Sequence, residues 1–272
     1  MELFLDFFEN LASWQKLAWI VSCLSLAWLL EFLFPLVTLP YKKWKHAGVN
    51  LIFLSTSLLI NILFGIGLTV VFNLIEYHQF GILNWLEFSF LTELIIAIFF
   101  LDFVAQYLVH VLLHKVGFMW RFHMIHHSDT KVDATTGTRH HPGDYLMREI
   151  FGMMAIVILG APLSFYVFYK ILTIFFTYTG HANIRVPKWI DKPLSYIFMT
   201  PNMHKFHHHF ERPWTDTNYG NVFSIWDRMF GTWVYDDPKK VKYGLDVLDD
   251  STDEKISYQF KIPFDKSIKT DY

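Results

Sequence analysis

The chain has a single cysteine in 272 residues, Cys23, which excludes intrachain disulfides and argues against a thiolate metal site. Its formal net charge is only -2, so it lacks the basic excess with which nucleic-acid binders neutralise phosphates. It carries no internal repeat, no low-complexity tract and no flavin, haem or iron–sulfur motif. One loop is conspicuously short of positive charge: between the second and third apolar runs, residues 76–87 contain no Lys or Arg.

Apolar residues are abundant. They make up 53% of the chain, with a mean hydropathy of +0.28, above an average soluble domain. Residues 17–39, 51–75 and 88–113 are each long enough to cross a hydrocarbon core, which takes about 20 residues. The first is not a cleavable signal, because acidic residues precede it and its apolar run is too long. A fourth apolar region, 146–178, exceeds one span and is interrupted by Gly160, Ala161 and Pro162. A hairpin or re-entrant pair of shorter helices suits it better than one kinked span. Lys42, Lys43 and Lys45 follow the first span, whereas the N-terminal arm is net acidic. The positive-inside rule then puts the N-terminus and the 76–87 loop outside. The end of the third span, with Lys115 and Arg121, faces the cytosol.

Histidines gather at that end. They fall into His110 and His114; His123, His126 and His127; and His204, His207 and His208, followed by His209. Residues three and four apart share a helix face, so each cluster can aim two or three imidazoles at one point. Imidazole suits iron, zinc, copper and nickel, whereas magnesium and calcium prefer oxygen. The recurrence of one triplet on both sides of a membrane region makes a dinuclear transition-metal centre the expectation. His181, at the end of the fourth region, reaches the same surface. His140 or His141 is a further ligand or substrate contact, and His46 and His78 read as ordinary interfacial residues. Counting back by fours from His114 and His110 gives Gln106 and Asp102, so Asp102 is a candidate support for a ligand. Asp144, Asp216 and Asn218 are candidates to orient imidazoles or a lipid headgroup. The expected fold is an all-α integral membrane protein, with about four to five membrane-inserted helices and a cytosolic His-rich cap.

The order His-x3-His, His-x2-His-His, His-Ala-Asn (His181 to Asn183) and His-x2-His-His resembles the fatty acid hydroxylase superfamily, also called the sterol desaturase family. Flanking residues agree: Arg139-His140-His141-Pro142-Gly143-Asp144, Thr200-Pro201-Asn202-Met203-His204 and Asp216-Thr217-Asn218-Tyr219-Gly220-Asn221. Residues 1–90 read as N-terminal transmembrane helices and 235–272 as a cytosolic tail, of which 246–272 mixes acidic and basic residues as a surface tail does; the resemblance implies a catalytic domain at 91–234. It further implies two iron ions, replaceable by zinc on purification, with dioxygen as co-substrate. Carried over by position, His110, His114, His123, His126, His127, His204, His207 and His208 are metal ligands and His181 a ninth. The fatty acid 2-hydroxylase branch tends to carry a further His where this chain has Thr177, which leaves His141 as a replacement.

The activity so implied is hydroxylation or desaturation of a lipid such as a fatty acyl chain or sterol. Oxidising an unactivated C–H bond requires a metal that changes oxidation state, which zinc does not. The partners expected are a lipid from the bilayer and a separate electron-donating reductase, with no nucleic acid. The setting is a bacterial inner membrane or the endoplasmic reticulum. The competing class is a non-catalytic metal-binding or metal-transport protein. A transporter places its ligands near the bilayer midplane, whereas these clusters lie past the helix ends.

Overall fold

The computed structural model describes residues 1–270, which contain helices and irregular segments, two isolated bridges and no strand. After a short α1 (Glu2–Glu9), α2 runs over Ser13–Leu33. It stops six residues before the apolar run does, where Pro35 pairs with Ile184 in an isolated bridge and interrupts the helical ladder. The longest helix, α3, covers Lys43–His78. A short α4 (Ile82–Trp85) leads to α5 (Phe90–Asp102), which passes through a π-helical segment, Phe103–Leu108, into α6 (Val109–Lys115). Among the described residues, three stretches are long and apolar enough to cross a membrane: Ser13–Leu33, Lys43–Trp85 and Phe90–Lys115.

At 36 residues α3 is roughly 54 Å long, well beyond a hydrocarbon core of about 30 Å. Its first turns therefore lie in the cap. There Val49 and Phe53 pack against Trp120, Met124, Ile125 and Ile262. His46 is fully buried among Asp129 and Asp133, so the expectation of an ordinary interfacial residue fails. The sequence shows His46 near the start of an apolar run. The acids around it come from a loop more than eighty residues away.

Beyond α7 (Gly117–His127), the fourth apolar region is a hairpin of α8 (Pro142–Leu159) and α9 (Leu163–His181). Gly160 makes the turn possible with a left-handed φ of 67°. It packs backbone to backbone on Gly81, itself at φ 109°, and Asn84 donates to the carbonyls of Phe80 and Gly160. This tip thus meets the 76–87 loop, at the opposite end of the bundle from the histidines. Helices α10 (Lys188–Leu194), α11 (Pro201–His207), α12 (Ile225–Met229) and α13 (Ile256–Gln259) belong to the cap.

The expected surface tail, 246–272, is docked through its described residues, up to 270. The Arg121 guanidinium donates to the carbonyls of Ile262, Pro263, Asp265 and Ile268. Gln259 accepts from Ser128 and Asp253 from Lys131. The mixed charge of this segment hid the apolar pair Ile262 and Ile268, which close over α7.

A Cβ on Gly81 would lie 2.2 Å from the Gly160 nitrogen. We expect Gly81→Ala to cost about 1–3 kcal/mol of stability, read as a lower thermal midpoint in detergent. Gly65→Ala, whose Cβ meets nothing within 4 Å, provides the control and leaves that midpoint unchanged or raised.

Candidate metal centre

The π-helical segment sets the register of the first two histidines. A π turn takes more residues than an α turn, so counting by fours fails across Phe103–Leu108. Asp102 consequently turns away from the histidines. Its carboxylate accepts from the backbone of Val222 and Phe223, the Trp226 indole and the Tyr169 hydroxyl. It pins the loop whose Tyr219 carbonyl receives His110 Nδ1 at 2.7 Å, and does not support a ligand directly. Gln106 accepts from Arg148.

Nine imidazoles converge as two groups. In one, ring nitrogens of His110, His114, His123, His127 and His207 lie within 4.8 Å of one another; in the other, those of His126, His181, His204 and His208 do. Each triplet is split between the groups. The i, i+4 pairs stay together, His123 with His127 in the first group and His204 with His208 in the second. His126 and His207, the middle members, cross over. The rings of His127 and His208 then stack at 4.7 Å where the groups meet.

Backbone carbonyls and carboxylates fix several rings. The Nδ1 atoms of His110, His181 and His207 donate to the carbonyls of Tyr219, Thr177 and Thr217 at 2.7–2.8 Å. His123 Nδ1 faces Asp144 at 3.1 Å and His114 Nδ1 faces Asp216 at 3.4 Å. A carbonyl cannot donate, so in the first three the proton sits on Nδ1 and the Nε2 lone pair points inward. Asn218, with φ 53°, braces the loop through Met203 and Val234. Lys205, buried between two ligand candidates, donates to the Ala182 and Pro201 carbonyls. It thereby ties α11 to the end of α9, and burial lowers its pKa to about 8.

The inward nitrogens meet in a way that a cation resolves. His110 and His123 place Nε2 atoms 3.0 Å apart, and His181 Nε2 lies 3.1 Å from that of His126 and 3.0 Å from that of His204. With Nδ1 of His110 and His181 carrying the proton and Nδ1 of His123 on a carboxylate, lone pair opposes lone pair across His110–His123. Protonation is a poor remedy. Burial depresses His123 to about 3 against the pull of Asp144, and burial followed by neighbouring histidines holds His126, His127, His204, His207 and His208 well below 6.5. Nε2 of His207 and both ring nitrogens of His127 and His208 are buried with no hydrogen-bond partner among the described residues. Left unsatisfied, each such group costs about 1–3 kcal/mol. The donor set therefore fits two transition-metal ions.

His141 joins neither group. Its extended backbone before Pro142 makes it the N-cap of α8, where Nδ1 accepts from Gly143 at 3.0 Å and the ring packs on Phe122 and Phe260. His140 is the nearer of the pair: Asp144 bridges it to His123, and its ring stacks on His126 at 4.5 Å. His209 instead accepts from the Glu211 backbone. A buried polar layer under the centre was not foreseen. In it Arg139 donates to Ile125, Asn50, Ser128 and Asp253. Glu31 receives the Ala134 and Asn183 amides.

A cavity of about 180 Å³ opens beside both groups. His110, His126, His181 and His204 form its inner end, while Ile20, Leu54, Leu58 and Ile174 line it from the apolar helices.

The family model for fatty acid hydroxylase matches residues 94–232. Ornithine lipid hydroxylase OlsE of Rhizobium tropici is 33% identical over 167 residues, 61% of this chain and 48% of that protein. Alkylglycerol monooxygenase is 32% identical in Caenorhabditis elegans, over 63% of this chain and 33% of that protein, and 32% in Homo sapiens, over 57% and 34%. The chain thus spans about half the length of the first relative and about a third of the other two. No solved structure matches it.

Because folding buries these histidines neutral, the unfolded chain binds more protons between the ordinary histidine pKa near 6.5 and the depressed folded values. Metal-stripped protein should lose stability steadily as the pH falls from about 6.5 towards about 3, the value for His123. Urea midpoints across that range check this, and a flat profile would contradict it.

Proposed function

Because the chain belongs to the fatty acid hydroxylase family, we propose that it is a membrane-bound lipid hydroxylase using two iron ions, dioxygen and electrons from a separate donor. The observation that carries this reading is the pair of histidine groups, with opposed Nε2 atoms at 3.0–3.1 Å, at the inner end of a cavity lined from the apolar helices. Iron bound there would supply dioxygen activation and oxidation of an unactivated C–H bond, chemistry that zinc does not offer.

The chain's own residues do the rest. His110, His114, His123, His127 and His207 would hold one ion, and His126, His181, His204 and His208 the other. The Tyr219, Thr177 and Thr217 carbonyls, with Asp144 and Asp216, fix ring orientation, as groups behind metal ligands commonly do. Ile20, Leu54, Leu58 and Ile174 give the lipid an apolar path. Lys42, Lys43, Lys45, Lys115 and Arg121 favour a cytosolic cap. Relatives named as a hydroxylase and a monooxygenase favour hydroxylation over desaturation. Ornithine lipids and alkylglycerols are the first substrates to try.

The test compares lipids from cells with and without the protein by mass spectrometry. Wild type should yield lipids heavier by one oxygen atom and carry about two iron ions per chain after expression with iron. The His126→Ala/His207→Ala double variant should lose both while still inserting, whereas His141→Ala should keep its metal. Full lipid oxidation by the double variant would end this reading.

A further inference from the structure

One feature of the cavity plays no part in holding metal. Glu149 of α8 and Lys170 of α9 form an ion pair at 2.6 Å on its wall, with side chains 4% and 30% exposed. Lys170 precedes His181 by eleven residues, roughly 16 Å along α9. It lies midway between the histidines and the Gly160 turn. Charges at such depth are expensive and, as a rule, tied to function. A purely structural link between α8 and α9 is a weak explanation, since an apolar pair of similar volume usually does as well or better.

The hydrogen bonding is unequal. Glu149 is satisfied at both oxygens, by Lys170 on Oε1 and the Tyr166 hydroxyl on Oε2. A lysine ammonium has three donors, and Glu149 is the hydrogen-bond acceptor the structure gives for Lys170. Tyr145 and Asn61, joined at 2.6 Å, extend the polar wall towards α3.

We propose that Lys170 anchors an uncharged oxygen acceptor on the substrate, an ester or amide carbonyl or a hydroxyl, at the far end of the cavity from the histidines. Glu149 already neutralises the ammonium, so a free carboxylate entering beside it meets like charge, and a bare hydrocarbon leaves the donors unspent. The substrate class is thus a neutral or internally compensated polar lipid, held by its oxygen while the chain lies along Ile174 and Leu58 towards His126 and His204. This rests on the lipid-oxidation reading and names what that site selects.

The experiment measures binding, not turnover. Radiolabelled monooleoylglycerol, oleate and 1-octadecene are bound to detergent-purified, iron-loaded protein. Wild type should prefer monooleoylglycerol to both others by about tenfold or more. Glu149→Gln/Lys170→Met removes the pair without stranding a charge and should bring the three affinities within about threefold, with metal content unchanged. Lys170→Arg should keep the preference, and supplies the test if the double variant does not fold. An unchanged preference in the double variant, its loss in Lys170→Arg, or wild type binding 1-octadecene as tightly as monooleoylglycerol overturns the proposal. Intact preference without any oxygenated lipid in cells would instead count against the hydroxylase reading alone.

Discussion

Nine imidazoles buried side by side must share one property: almost all of them must be neutral, with lone pairs directed at common points. Protonating one next to its neighbours adds like charge in a poorly screened interior, and leaving the lone pairs to face each other is also unfavourable. Much of the cap answers this constraint. Carbonyls at Thr177, Thr217 and Tyr219 take the outer Nδ1 protons, which turns Nε2 inward. The segments bearing those carbonyls are braced in turn, by Asp102 on Val222, Phe223 and Trp226, and by Asn218 on Met203 and Val234.

The apolar framework is subordinate to that arrangement in an instructive way. The helix that carries His114 is α-helical on both sides of a π segment, and the wider turn rotates His110 and His114 to a face that a regular helix would not give them. Helix α3 extends beyond bilayer thickness so that His46 and Asn50 can meet Asp129, Thr135 and Arg139 beneath the cap. Membrane anchoring and cap assembly are therefore carried by the same continuous helix.

Much of this was legible in the chain. The three long apolar runs, the break at Gly160 and the histidine spacing all mark local geometry, and they predict the helices, the hairpin and the nine converging rings. What escaped was set by distant partners. The division of each triplet between two groups depends on how α7 faces α11, which spacing along one helix does not record. Counting by fours points Asp102 at the histidines, whereas the π turn, which has no clear sequence signal, turns it to Val222, Phe223 and Trp226. His141 adjoins His140 in sequence, but as the residue before Pro142 it caps a helix instead of joining the rings. Ile262 and Ile268 lie in a mixed-charge stretch that is docked by distant partners such as Arg121 and Ser128.

The order of the ligands along the chain bears on biogenesis. Helix α7 emerges from the ribosome well before α11, and the whole α8–α9 hairpin is made between them. A nascent chain therefore carries His110 to His127 while the second half of both groups is still unmade. Since α7 and α11 each contribute to both groups, neither site can mature alone. Both groups are thus completed late and together, when the histidines of α11 reach those of α7.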